Sequence, residues 1–322
     1  MQADITGGTG NVTEQAQQVC CVCGQPVLPP YNIIGQRLYC DHHFAIVNKQ
    51  HRGFWRSAVV QIVGMGLFSA VVYFLSGYIG PLDDPWRLPV GVALVLVPSA
   101  AWLYYFYRQD RLEPEPKMRV MQVFLLAVLL TEALGYPLFK WFRMDDWATS
   151  LTAISLAASV LVPGFIWQAI NYTSVRMLVY ATPEFDERMD GVVYGSMAGL
   201  GVATLLNLHY VLDNGGVALY TGVVHIVTTL LAQASFGGIT GYFMAQAKFE
   251  HKPVWWVPAG LVVSAILNGL FRWLVSEVSA DGLTVAPWRS LVFGLAVALV
   301  SFGALLWLMQ QALRKTAPTS SM

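Results

Sequence analysis

The sequence predicts an all-α polytopic membrane protein with about eight transmembrane helices, preceded by a small zinc-stapled cytosolic module. Three observations carry that expectation. Of the 322 residues, 56% are hydrophobic and only 12% charged, against roughly 25% charged in an average soluble domain. Apolar stretches long enough to cross a bilayer recur from Trp55 onward. All four cysteines crowd between positions 20 and 40, with His42 and His43 just behind them. Nineteen Lys+Arg balance nineteen Asp+Glu, so no overall charge draws the chain to nucleic acid.

In chain order, residues 1–19 are polar and carry neither Lys nor Arg nor an apolar run. They read as a disordered tail, with no cleaved secretory signal. Residues 20–53 form the expected metal module. Cys20 and Cys23 stand two residues apart, sixteen residues intervene, and Cys40 with His43 repeats the spacing. Two such knuckles supply a tetrahedral Cys3His set, which suits Zn2+. Each knuckle needs a tight turn to aim both donors at one ion, and Gly24 permits it. A segment this short, holding Pro26, Pro29 and Pro30, cannot bury enough apolar surface to fold without a staple. Four protein donors close the coordination shell, so the expected role is structural. Disulfides are the rival reading, and Cys21 and His42, one residue off the spacing, are alternate ligands. The knuckles resemble LIM-type and other treble-clef modules, which implies structure or the docking of a cytosolic partner.

Residues 54–313 form the expected membrane domain, with apolar stretches at 57–77, 88–107, 119–142, 148–175, 190–212, 217–246, 254–276 and 288–311. Each is long enough to cross a ~30 Å hydrocarbon core. Trp and Tyr gather near the stretch ends, as an interfacial belt requires. An even number of spans puts both termini on one face. Fourteen of the 19 Lys and Arg lie on that face; Arg87, Lys140, Arg143 and Arg289 lie on the other, and Arg272 sits inside a span. That bias places both termini in the cytoplasm, in the cytoplasmic membrane. Residues 314–322 read as a second disordered tail.

Polar side chains inside spans mark cavities or interhelical hydrogen bonds. The ionisable ones are Glu132, His209, His225 and Arg272; the carboxamides are Gln168, Asn171, Asn207, Gln233 and Asn268. His209 and His225 sit on consecutive antiparallel spans, and with Glu132 they make up one conceivable metal set. Glu132 with Arg272 is a candidate buried ion pair by depth. Gly195, Gly199 and Gly201 in the fifth span and Gly237, Gly238 and Gly241 in the sixth allow close backbone approach.

Two strings carry a family resemblance. Asp110-Arg111-Leu112-Glu113-Pro114-Glu115-Pro116 is similar to the D-x-x-E-P-E-P loop of PrsW-type intramembrane proteases. Glu184-Phe185-Asp186-Glu187 through Asp190-Gly191 to Tyr194-Gly195 resembles the E-F-D-E-x-x-D-G-x-x-Y-G segment of the same family. The resemblance implies a hydrolytic site built from a Glu-Glu-x-x-Lys element and later His positions. Here the acidic pair falls on Trp167 and Gln168, the lysine on Asn171, and the later positions on Gln233 and Asn268. A carboxamide neither takes up a proton at neutral pH nor replaces an imidazole at a metal. The expected function is therefore a PrsW-like pseudoprotease that binds membrane-protein helices. The alternatives are an active endopeptidase using Glu132, His209 and His225, and a transporter or lipid-binding protein.

Overall fold

A computed structural model describes residues 18–20, 23–34, 37–49, 54–79, 84–108, 116–143, 153–213, 219–250, 252–281 and 287–316. Both expected tails beyond these limits, Cys21, positions 148–152 and the Asp110–Glu115 string lie outside the described residues. The N-terminal module is a hairpin of β1 (Asn32–Ile34) and β2 (Arg37–Tyr39), paired antiparallel with Ile33 opposite Leu38, followed by α1 (Asp41–Lys49).

Among the described residues, eight helices are long and apolar enough to cross a membrane. They are α2 (Phe54–Ile79), α3 (Asp84–Tyr107), α4 (Lys117–Trp141), α5 (Ala153–Leu178), α6 (Arg188–Asp213), α7 (Leu219–Phe249), α8 (Trp256–Asp281) and α9 (Pro287–Thr316). They match the eight expected stretches one for one. Helix α9 runs on to Thr316, into the stretch read as a tail.

Helices α6 and α7 form the centre: 89% and 83% of their spans are buried, against 11% for α2 and 33–39% for the others. Their contact is made by glycine. Gly191, Gly195 and Gly199 recur every four residues and so share one face of α6. A Cβ built on each would collide with the carbonyl oxygen of Gly241, Gly237 and Gln233 respectively. Without a hydrophobic effect between helices in lipid, this close backbone packing supplies the attraction. Gly201 serves another neighbour, and Gly238 is shared between α6 and α9. Gly201 faces the Phe124 carbonyl of α4, and Gly238 faces Ser196 and Leu305.

Two helices are interrupted. Helix α4 is α-helical over Lys117–Leu130 and Tyr136–Trp141, with a π-helical turn at Thr131–Gly135 between them. Helix α5 has its π turn at Val160–Gly164, where Pro163 lacks the N–H that a regular helix would use. Beside that turn Gly164 and Gly269 let α5 and α8 touch: a Cβ on Gly164 would strike the Ala265 carbonyl, and one on Gly269 the Val160 backbone.

The loop between α5 and α6 is clasped to the bundle. Asp190, in the first turn of α6, accepts hydrogen bonds from the backbone N–H groups of Asp186 (2.8 Å) and Glu187 (2.6 Å), satisfying donors that a helix start leaves open. Lys248 of α7 donates to the Tyr180 (2.8 Å) and Phe185 (2.6 Å) carbonyls, with its ammonium also against both rings. The Thr182 hydroxyl, the residue's own backbone N–H and the Arg119 guanidinium hold the Glu184 carboxyl below its ordinary range. The second family-like string thus folds as a scaffold.

Candidate metal centre and intramembrane polar site

The first knuckle closes as its sequence requires. Gly24 N–H donates to the Cys20 carbonyl (2.9 Å) and Cys20 N–H to the Gln25 carbonyl (2.8 Å). Gly24 has φ +68°, a conformation that glycine adopts without strain. The hairpin then delivers Cys40 directly after β2, and His43 follows one turn later on α1. The donor atoms of Cys20, Cys23, Cys40 and His43 all lie within 4.8 Å of one another.

Individual separations are 3.1 Å for Cys40 Sγ to His43 Nδ1, 3.8 Å for Cys20 Sγ to His43 Nδ1, and 4.0 Å for Cys23 Sγ to Cys40 Sγ. Tetrahedral coordination at zinc bond lengths asks for about 3.8 Å between sulfurs and about 3.6 Å from sulfur to nitrogen. The donor set fits one metal ion. No disulfide joins the three described cysteines. His42 is exposed beside the His43 ring and outside the donor group. This is the one cluster of three or more His, Cys, Asp or Glu donors close enough for an ion among the described residues.

The carboxamides inside the bundle are all buried. They resolve into two groups rather than one pocket. Gln233 of α7 and Asn268 of α8 form a reciprocal pair, each amide nitrogen donating to the other's oxygen at 3.1 Å. On α5, Gln168 Oε1 accepts from Asn171 Nδ2 (3.1 Å) and from the Thr240 hydroxyl (3.0 Å). Gln233 and Thr240 are seven residues apart on α7, so the groups share a helix face but are separated by about 10 Å along it. Gln168 Nε2, Asn171 Oδ1 and the Ser264 hydroxyl have no protein partner among the described residues. Buried polar atoms of this kind are where ordered water is held. Trp167 points elsewhere: it stacks on Phe139 and fills the space beside Gly135 of α4. Thr240 escaped the sequence reading, although its i+7 relation to Gln233 was the available signal.

The ionisable residues pair differently from the depth argument. Glu132 sits on the π turn of α4 and bonds His209 Nε2 at 2.7 Å. Its partner is thus His209; Arg272 instead lies over the Phe139 ring, 4.3 Å from the centroid. The His209 ring stacks on Tyr136 at 3.8 Å, and the Tyr136 hydroxyl donates to Asp213 at 3.0 Å. His225 packs on Tyr210. Glu132 and His209 are brought together, and His225 has a separate environment. Asn207 donates to the Ile226 carbonyl, an interhelical hydrogen bond.

Comparison with known proteins agrees with the two strings. The sequence profile described as PrsW family intramembrane metalloprotease matches residues 115–307. Protease PrsW of Geobacillus kaustophilus is 31% identical over 181 residues, 56% of this chain and 77% of the relative. Protease PrsW of Bacillus subtilis is 29% identical over 187 residues, 57% and 82% of the two chains. That of Oceanobacillus iheyensis is 23% identical over 206 residues, 63% and 90%. No solved structure matches. With more than half its length matched by the profile and the eight spans in place, the chain belongs to the PrsW family of intramembrane metalloproteases.

Proposed function

We propose that this family member is a pseudoprotease of the cytoplasmic membrane that binds helices of membrane-protein partners or substrates. Its division is into tails at 1–19 and 314–322, a zinc module at 20–53 and a membrane domain at 54–313, with both termini cytoplasmic. The module holds a structural Zn2+ through Cys20, Cys23, Cys40 and His43 and offers a surface to cytosolic partners.

The observation that carries this reading is the chemistry of Gln168, Asn171, Gln233 and Asn268: all four are neutral carboxamides, hydrogen-bonded to one another or to Thr240. A carboxamide keeps a polar interior without supplying a base or a strong metal ligand. Neither Asp, Glu nor His occurs between Ala153 and Leu178. Such a site recognises without hydrolysing.

The experiment is metal counting together with cleavage. Purified protein should carry one zinc per chain, and the Cys23→Ser/Cys40→Ser variant none. Neither should cut a library of transmembrane peptides. A second ion that survives in that variant would sink the pseudoprotease.

A second reading has one observation in its favour, the Glu132–His209 contact at 2.7 Å on a π turn, since π turns recur at functional sites. On that reading the chain is an active endopeptidase whose site combines Glu132, His209 and His225. Metal-dependent cleavage abolished by His225→Ala and by Glu132→Gln would establish it and displace the first.

A further inference from the structure

We propose that the N-terminal module lies flat on the membrane, with its Leu28, Tyr31 and Ile33 edge seated in an anionic lipid headgroup layer. Those residues are 81%, 41% and 46% exposed, and Val19, bridged to Pro26 beside them, is 45% exposed. They are large apolar side chains on a module that has little interior to spare. Tyr31, immediately before β1, and Ile33 within it are two residues apart and project to the same side of an extended chain. Leu28 precedes them at the Pro29-Pro30 bend. Tyrosine among aliphatic residues is the composition that membrane interfaces favour.

Tether length and charge select the occupant. Five peptide steps separate Lys49, the end of α1, from Phe54, the start of α2, so the module can stand no more than about 18 Å from the helix that enters the bilayer. A lipid surface held that close is in effect an intramolecular partner, present at a concentration that no diffusing protein matches. Between positions 18 and 56 the chain carries Arg37, Lys49, Arg52 and Arg56 against a single acid, Asp41. Three thiolates around one divalent ion subtract only a single charge, and the segment remains cationic. A segment that combines net positive charge with exposed apolar side chains is what an anionic leaflet attracts. This goes beyond the cytosolic docking role proposed above, and a protein partner on the same edge becomes an outcome of the test.

The test uses the full chain, reconstituted in phosphatidylcholine–phosphatidylglycerol vesicles and in phosphatidylcholine vesicles. A photoreactive Leu28→benzoylphenylalanine variant is compared with the same replacement at Ala45, which is exposed on α1. Irradiation should give a phospholipid-mass adduct at position 28, with little at position 45, and the yield should fall about threefold without the anionic lipid. Equal lipid adducts at both positions, or adducts at 28 only to proteins of an added cytosolic extract, overturn the proposal. Metal content is measured on the same samples, so that loss of the ion is read separately from loss of lipid contact. Hydrogen exchange of residues 26–33 in the unsubstituted chain gives the second measurement. It should be slower in the anionic vesicles than in detergent micelles, and equal rates overturn the proposal whatever the variants do.

Discussion

The N-terminal cluster and the carboxamides of the bundle are both small polar constellations on segments far apart in sequence, yet they are built to opposite specifications. In the first, three thiols and an imidazole converge within 4.8 Å and leave room for a cation between them. In the second, the amide nitrogens of Gln233 and Asn268 each meet the other's oxygen at 3.1 Å in a closed reciprocal pair. Sites that await an ion point like-natured atoms at one another; sites that join helices alternate donor with acceptor. That contrast separates a candidate metal centre from interhelical hydrogen bonding inside a family described as metalloproteases.

Removing the ion is the harshest way to test it. Cys40→Ser, or chelation, should abolish metal binding and release the module's fold, since structural zinc contributes on the order of 10 kcal/mol to such small units. Elemental analysis and hydrogen exchange of residues 18–49 read the two effects, and the bundle should stay protected. Acid should act in the same direction: protons compete with the ion for the thiolates, so occupancy falls as pH drops.

Next in size is Gln233→Leu. It strands the buried Asn268 amide and should cost about 1–3 kcal/mol, whereas Gln233→Leu/Asn268→Leu should recover most of that loss. Steric trapping in bicelles measures both, and a double variant worse than the single would contradict a purely paired role. Weaker still is the Glu132–His209 contact. Glu132→Gln keeps an acceptor for His209 and should change stability by about 1 kcal/mol or less, the usual worth of an interhelical hydrogen bond in membranes. The smallest effect belongs to the neighbouring imidazoles: His42→Ala should leave the metal count unchanged, whereas His43→Ala should lower it.

Much of the architecture was legible in advance, for physical reasons that can be named. Span positions follow from the length of apolar sequence a bilayer demands, and all eight helices fall within a few residues of that reading. The convergence of Cys20, Cys23, Cys40 and His43 follows from two-residue spacings and from Gly24, whose φ of +68° is the turn its place in the motif requires. Rotation about helix axes stayed hidden in the sequence. Counting residues estimates depth, and depth alone made Arg272 a partner for Glu132. The π turn at Thr131–Gly135 changes the rotation of α4 at that point and leaves the carboxylate on His209. The same limit hid Thr240 beside Gln168 and the turning of Gly201 toward α4. It also hid the separation of the four carboxamides into two groups.

The glycine seam between α6 and α7 has a mechanical consequence. Carbonyl oxygens seated where Cβ atoms would otherwise stand leave no slack for these helices to slide or part. They form a rigid keel, and any lateral gate that admits a guest helix has to swing on the loosely held outer members, of which α2, with 11% of its span buried, is the freest to yield.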